Sequence, residues 1–155
     1  MRLLEHIPLI KQLEIVNRLE FFKEFTVAER QVLLESFGCL YLINAHRHAF
    51  KRFERDDKLY IVLSGELSIY SKSEHDELGR IKPGEFVGEG AFISHRERST
   101  NAIALVDTIV LAITAEALTR LPNVVREKIK DQLIIGMSLR IAKLNAHIEQ
   151  EDKSH

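Results

Sequence analysis

The chain has 155 residues, 45% hydrophobic and 29% charged, with a formal net charge of −1. That is ordinary globular composition at single-domain size, and the near-neutral balance excludes a whole-molecule pull toward nucleic acid or an anionic membrane. Cys39 is the single cysteine, which excludes an internal disulfide framework; with no run of bilayer-spanning length and no signal-peptide pattern at 1–8, the expectation is a soluble cytoplasmic protein.

Residues 1–36 are helical in pattern, with Leu13, Val16, Leu19 and Phe22 marking one buried face. Thr26-Val27-Ala28-Glu29 reads as a capping box that opens a second helix through about Glu35, with Phe25 placed as a hydrophobic staple. Residues 39–114 read as many short strands. Leu59-Tyr60-Ile61-Val62-Leu63 and Glu66-Leu67-Ser68-Ile69-Tyr70 flank Gly65, which predicts a hairpin or a sharp strand bend. Strand-turn-strand character follows at 78–87 around Pro83-Gly84, and the runs 102–106 and 108–113 are expected to pair about Asp107. Short strands at this spacing predict a small barrel or a double-sheet jelly roll.

Residues 115–148 are helical again. Thr114 caps a short helix over 115–121, which Pro122 closes. Val125, Ile129, Leu133, Met137, Ile141, Leu144 and Ile148 then fall at steps of three and four, which predicts one long amphipathic helix. Most of these residues are expected to pack on the chain's own core. The tail 149–155 is polar and expected to fray, and the whole of 1–155 reads as one domain without repeat or linker.

The segment Gly88-Glu89-Gly90-Ala91-Phe92-Ile93-Ser94-His95-Arg96-Glu97-Arg98-Ser99-Thr100 carries the chemistry. Exposed backbone N–H groups with one arginine suit a phosphate, and a nearby carboxylate suits a sugar hydroxyl. Phe86-Val87-Gly88-Glu89 followed by Arg98-Ser99, together with Leu59–Leu63 and its Ser64-Gly65-Glu66-Leu67 extension, resembles the cyclic-nucleotide-binding domain family over about residues 15–145. The glutamate-to-arginine spacing is like that of cAMP-dependent protein kinase regulatory subunits, and the Arg-Ser pair is like that of the catabolite activator protein.

The fold class this resemblance implies is mainly β with flanking helices: a double-stranded β-helix (jelly-roll) β-roll over 39–114, helices at 1–36, and a long carboxy-terminal helix within 115–148. It implies that Arg98 forks onto the exocyclic oxygens of a cyclic phosphate and that Glu89 accepts from the ribose 2′-hydroxyl. Gly88 lets the sugar approach the backbone, Gly90 and Ala91 open a short helix with N–H groups toward the anion, and Ser99 offers a hydroxyl and an N–H. Thr100 stands beside the phosphate. Phe86 and Ile81 line the apolar floor, while Leu144 packs over the base and Asn145 offers it an amide. The implied ligand is cAMP, with cGMP second, and no metal.

The function implied is a stand-alone sensor that regulates an effector protein through a population shift, with no catalytic group. Homodimerisation through the long helix is a further expectation. Direct DNA binding is not expected. No helix-turn-helix is expected after the long helix, and residues 126–155 set six basic side chains against five acidic ones.

Three positions depart from the family pattern. Gly90 stands where a larger aliphatic residue is expected, Thr100 where a small alanine is common, and Arg55-Asp56-Asp57-Lys58 supplies no glycine, leaving Asp56 to shape a turn. Two alternatives follow. One is a degenerate scaffold of the same fold that binds nothing small. The other is a metal-dependent cupin-type enzyme, in which His46 and His48 share a strand face near Glu54.

Overall fold

The amino-terminal region is less helical than its pattern promises. In the computed structural model, which describes residues 1–153, the chain opens with a short strand, β1 (Arg2–Leu3), that pairs antiparallel with Leu42 and Tyr41. Helix α1 (Leu9–Val16) stops at Val16, and the rest of the expected stripe continues through a 3-10 turn at Glu20–Phe22. Val16 and Phe22 are still fully buried, and Leu13 and Leu19 pack against the same cluster. The capping box forms: the Glu29 amide donates to Thr26 Oγ1 at 3.2 Å and the Thr26 amide to Glu29 Oε1 at 2.8 Å, opening α2 (Val27–Val32). A π turn at Leu33–Phe37 then leads into the sheets.

Eight further strands follow: β2 (Gly38–Ile43), β3 (His48–Phe50), β4 (Leu59–Ser64), β5 (Leu67–Tyr70), β6 (Glu77–Ile81), β7 (Phe86–Val87), β8 (Asn101–Ala104) and β9 (Thr108–Ile113). They form two antiparallel sheets, one ordered β1-β2-β9-β4-β7 and the other β3-β8-β5-β6. Strand alternation builds two cores from one strand set. Leu59, Ile61 and Leu63 of β4 face the helices, while Tyr60 and Val62 face the second sheet. Each such burial stabilises by roughly 1.5–3 kcal/mol, so β4 anchors both layers.

This architecture corrects the expected fold class. The molecule is a mixed α/β fold of two open antiparallel sheets with flanking helices, and not a closed jelly roll or barrel. Closure requires the outer strands to pair, whereas β1, β7, β3 and β6 end their sheets and no ladder joins the two among the described residues. Apart from the paired neighbours β1–β2 and β5–β6, consecutive strands lie in different sheets. At Gly65, with φ of +90°, a Cβ would lie 2.6 Å from the Asp107 carbonyl, so only glycine makes this bend from β4 to β5. Likewise β8 and β9 do not pair with each other: β8 pairs with β3 and β5, and β9 with β2 and β4.

Three helices complete the fold. They are α3 (Glu89–Ser94), α4 (Ala115–Arg120), capped by Thr114 Oγ1 accepting from the Ala117 amide, and α5 (Asn123–Lys153). Along α5, Val125, Ile129 and Leu133 are buried, but Met137, Ile141, Leu144 and Ile148 are exposed, so own-core packing takes fewer of the stripe than expected. The expected fraying tail is helical through Lys153, and Ser154 and His155 lie outside the described residues. No helix among the described residues is long and apolar enough to cross a membrane.

Candidate functional site

Strands β6 and β7, helix α3, the loop leading to β8, and the middle of α5 meet around a cavity of about 560 Å³. Ile81, Gly88, Glu89, Gly90, Ala91, Arg98, Ser99 and Thr100 all line it, so eight of the expected residues come together. Two do not. Phe86 points the other way, into the helix-side core, because strand alternation turns its neighbour Val87 into the cavity instead. Asn145 is exposed and off the wall, while Leu144 beside it lines the cavity.

The arginine is held from beneath. Arg98 is 2% exposed at its side chain, and Nη2 donates to the Lys58 carbonyl at 2.6 Å and meets Asp56 Oδ2 at 3.0 Å. Nη1 donates to the Gly88 carbonyl at 3.1 Å, and the guanidinium lies 4.2 Å from the Phe50 ring centroid. Gly88 sits at φ +92°, and a Cβ there would overlap Arg98 Nη1. Its glycine thus serves the arginine as well as the turn. Arg98 Nε is buried and has no hydrogen-bond partner among the described residues.

Asp56 completes this arrangement. Its Oδ1 accepts from the Lys58 amide at 3.1 Å, the turn-shaping role expected of it, and its Oδ2 accepts from the Tyr60 hydroxyl at 2.7 Å. Burial alone raises its pKa, but the Tyr60 hydrogen bond and the Arg98 charge outweigh this and hold the carboxyl below its ordinary range. Burial and the Asp56 carboxylate together push the Tyr60 hydroxyl pKa well up.

The carboxylate of the site is engaged from the other side. Glu89 Oε1 accepts from Arg140 Nη1 of α5 at 2.7 Å, and Arg140 Nη2 donates to the Phe86 carbonyl. The same guanidinium lies 4.7 Å from the Phe86 ring centroid, and Gly136 abuts that ring so closely that a Cβ would overlap it. At Gly90 the expected aliphatic side chain is replaced in space by Arg96, whose Nη2 would be 2.6 Å from a Cβ. Asp56, Arg96 and Arg140 were not among the expected site residues. Only the Asx-type turn gave a sequence signal for Asp56, while Arg96 and Arg140 looked like surface charge.

The metal reading fails on geometry. His46 lies in a turn at φ 67° and His48 on β3, so they do not share a strand face. His48 Nε2 is 2.5 Å from the Tyr70 hydroxyl, and burial with the nearby Lys51 charge lowers its pKa, with Glu74 and Glu54 opposing. Among the described residues no three His, Cys, Asp or Glu side chains are grouped to hold a metal. The cupin-type enzyme is thereby overturned.

Known proteins share this fold. The chain is 29% identical over 94 residues to the cAMP/cGMP-dependent 3′,5′-cAMP/cGMP phosphodiesterase B of Dictyostelium discoideum, a match covering 55% of this chain and 9% of that protein. It therefore spans a small fraction of that relative's length. A cyclic nucleotide-binding domain from Methylobacillus flagellatus KT shares the fold at a TM-score of 0.77 and 21% identity, over 90% of this chain and 81% of that one. The Thermus thermophilus catabolite activator protein does so at 0.71 and 22%, over 85% and 62%. In architecture the domain resembles such regulatory modules rather than a catalytic fold. Residues 42–123, more than half of the chain and inclusive of β7, α3 and the Arg98 loop, match the family described as the cyclic nucleotide-binding domain, and the chain belongs to it.

Proposed function

We propose that the chain, as one sensor domain over 1–155, takes cAMP, or more weakly cGMP, into this cavity and passes the signal to a partner protein. One observation carries the reading: a carboxylate, Glu89, and the Arg98-Ser99-Thr100 segment border one cavity whose remaining wall includes Ile69, Ile81, Val87 and Leu144. An apolar floor with a few convergent polar groups is how small-molecule sites are commonly built. The base and sugar fit the apolar wall, the ribose hydroxyl donates to Glu89, and the phosphate lies against Ser99, Thr100 and the free Nε edge of Arg98.

Signal transfer follows from Glu89 having two claimants. Arg140 holds it in the structure described, so a ribose hydroxyl that engages the same carboxylate links cavity occupancy to the docking of α5. The ligand shifts that equilibrium only by its difference in affinity for the two positions of α5. The exposed residues Ile134, Met137, Ile141, Leu144 and Ile148 repeat at alternating steps of three and four, an a/d seam that supports pairing of α5 with a second copy.

A non-binding scaffold is the competing reading. It is favoured by the same ion pairs, because Asp56 already pairs with Arg98 and Arg140 with Glu89. A thermal-shift titration separates the two. Ligand at a hundred times its Kd stabilises a binding-competent protein by about 2.7 kcal/mol, a clear rise in Tm. No rise with either cAMP or cGMP at millimolar concentration identifies the scaffold.

A further inference from the structure

Most cations on the cavity wall are already committed. Arg98 donates to Asp56 and two carbonyls, Arg140 to Glu89 and the Phe86 carbonyl, and Arg80 to Glu77 at 2.9 Å. Two cations on the wall, Lys143 and Arg96, make no hydrogen bond or ion pair with any described residue, and Arg96 also lines an open cleft beside its loop. Its guanidinium rests on the first turn of α3, where a Cβ on Gly90 would lie 2.6 Å from Nη2, 3.2 Å from Nε and 3.4 Å from Cζ.

Gly90 is informative because its backbone does not require glycine. Unlike Gly65, Gly84 and Gly88, it does not have a positive φ, and within a helix glycine is unfavourable relative to alanine. What its missing side chain provides is room, and Arg96 occupies that room. A guanidinium stays charged in any setting and matches two phosphate oxygens at once. We propose that Arg96 is a second phosphate-contacting guanidinium of the site, beside Arg98 and cradled by Gly90. This rests on the cavity being the cyclic-nucleotide site.

The test is calorimetric titration of cAMP into the wild-type protein, R96Q, G90A and the double variant. Arg96 is exposed, and only the far end of its flexible side chain meets the new Cβ, so neither change should lower the ligand-free Tm. Loss of one charge-assisted contact weakens binding on the order of tenfold in R96Q. G90A should weaken it in the wild-type background by displacing the guanidinium, and should add nothing in the R96Q background. Unchanged cAMP affinity in R96Q, or an equal effect of G90A with and without Arg96, overturns the assignment while leaving the cavity reading intact. A wild-type protein that binds no cAMP overturns both.

Discussion

Asp56→Asn tests how the site is held together. The Asp56 and Arg98 side chains are 16% and 2% exposed and meet at 3.0 Å. Removing one charge of a buried pair costs roughly 3–5 kcal/mol, because the partner is left in a dry setting. The lower end applies here, since Arg98 keeps the Lys58 and Gly88 carbonyls and the Phe50 ring, and the substituted side chain still offers an acceptor oxygen to the Lys58 amide. About 3 kcal/mol is a large share of the roughly 5–15 kcal/mol that holds a typical domain folded. Urea unfolding should show the midpoint falling at constant m. The pH dependence adds a signed check. The folded carboxyl has a lowered pKa, so the unfolded chain takes up the proton first. The stabilisation is therefore complete above about pH 4 and is lost as pH falls further through the folded value. Asp56→Asn should flatten that acid limb. A loss below about 0.5 kcal/mol, or an unchanged acid limb, would refute the view that this pair holds the arginine.

Gly136→Ala places a methyl group against Phe86, which is 3% exposed and has no room to move, so it should cost roughly 1–3 kcal/mol and speed hydrogen exchange along α5 beyond Leu133. A higher Tm, as helix propensity alone would give, contradicts that docking. The lowered pKa of His48 makes its contribution full above about pH 6.5 and lost as pH falls below it; His48→Gln should shrink that decline, and an NMR titration midpoint at or above about 6.5 would contradict the cause. Ile141→Glu with Ile148→Glu should convert a dimer to a monomer in light scattering without lowering the ligand-free Tm of the domain, and a wild-type protein monomeric at every concentration removes the α5 seam.

Local signals were read well from the residues. The Thr26–Glu29 capping box, the Thr114 cap and a long helix after Pro122 depend on neighbours within a few positions, and each formed, although α5 runs on to Lys153 through residues expected to fray. The expected site positions were legible as a neighbourhood, in that eight of the ten share one cavity. Strand partners were not. Alternation states which side chains of β4 or β8 share a face, but not which strand lies beside them, so the Gly65 turn read equally as a hairpin or a bend. The same ambiguity exchanged Phe86 for Val87, and of the two neighbours expected at the base Leu144 lines the cavity and Asn145 does not: one step along a strand or helix reverses or rotates the side chain.

Residue order was enough to reach most of the elements, to single out 88–100 and to find the resemblance to the family. How the residues of that segment are wired came from the packing of distant segments. Arg140 meets Glu89 across 51 positions, and the Lys58 carbonyl meets Arg98 across 40, with Asp56 against the same guanidinium. Such pairings depend on how layers stack, and a charged side chain reads the same in a sequence whether it ends in solvent or under a loop. Gly90 shows the difference plainly: a weak helix residue in the sequence becomes, once Arg96 lies across it, the space a guanidinium needs.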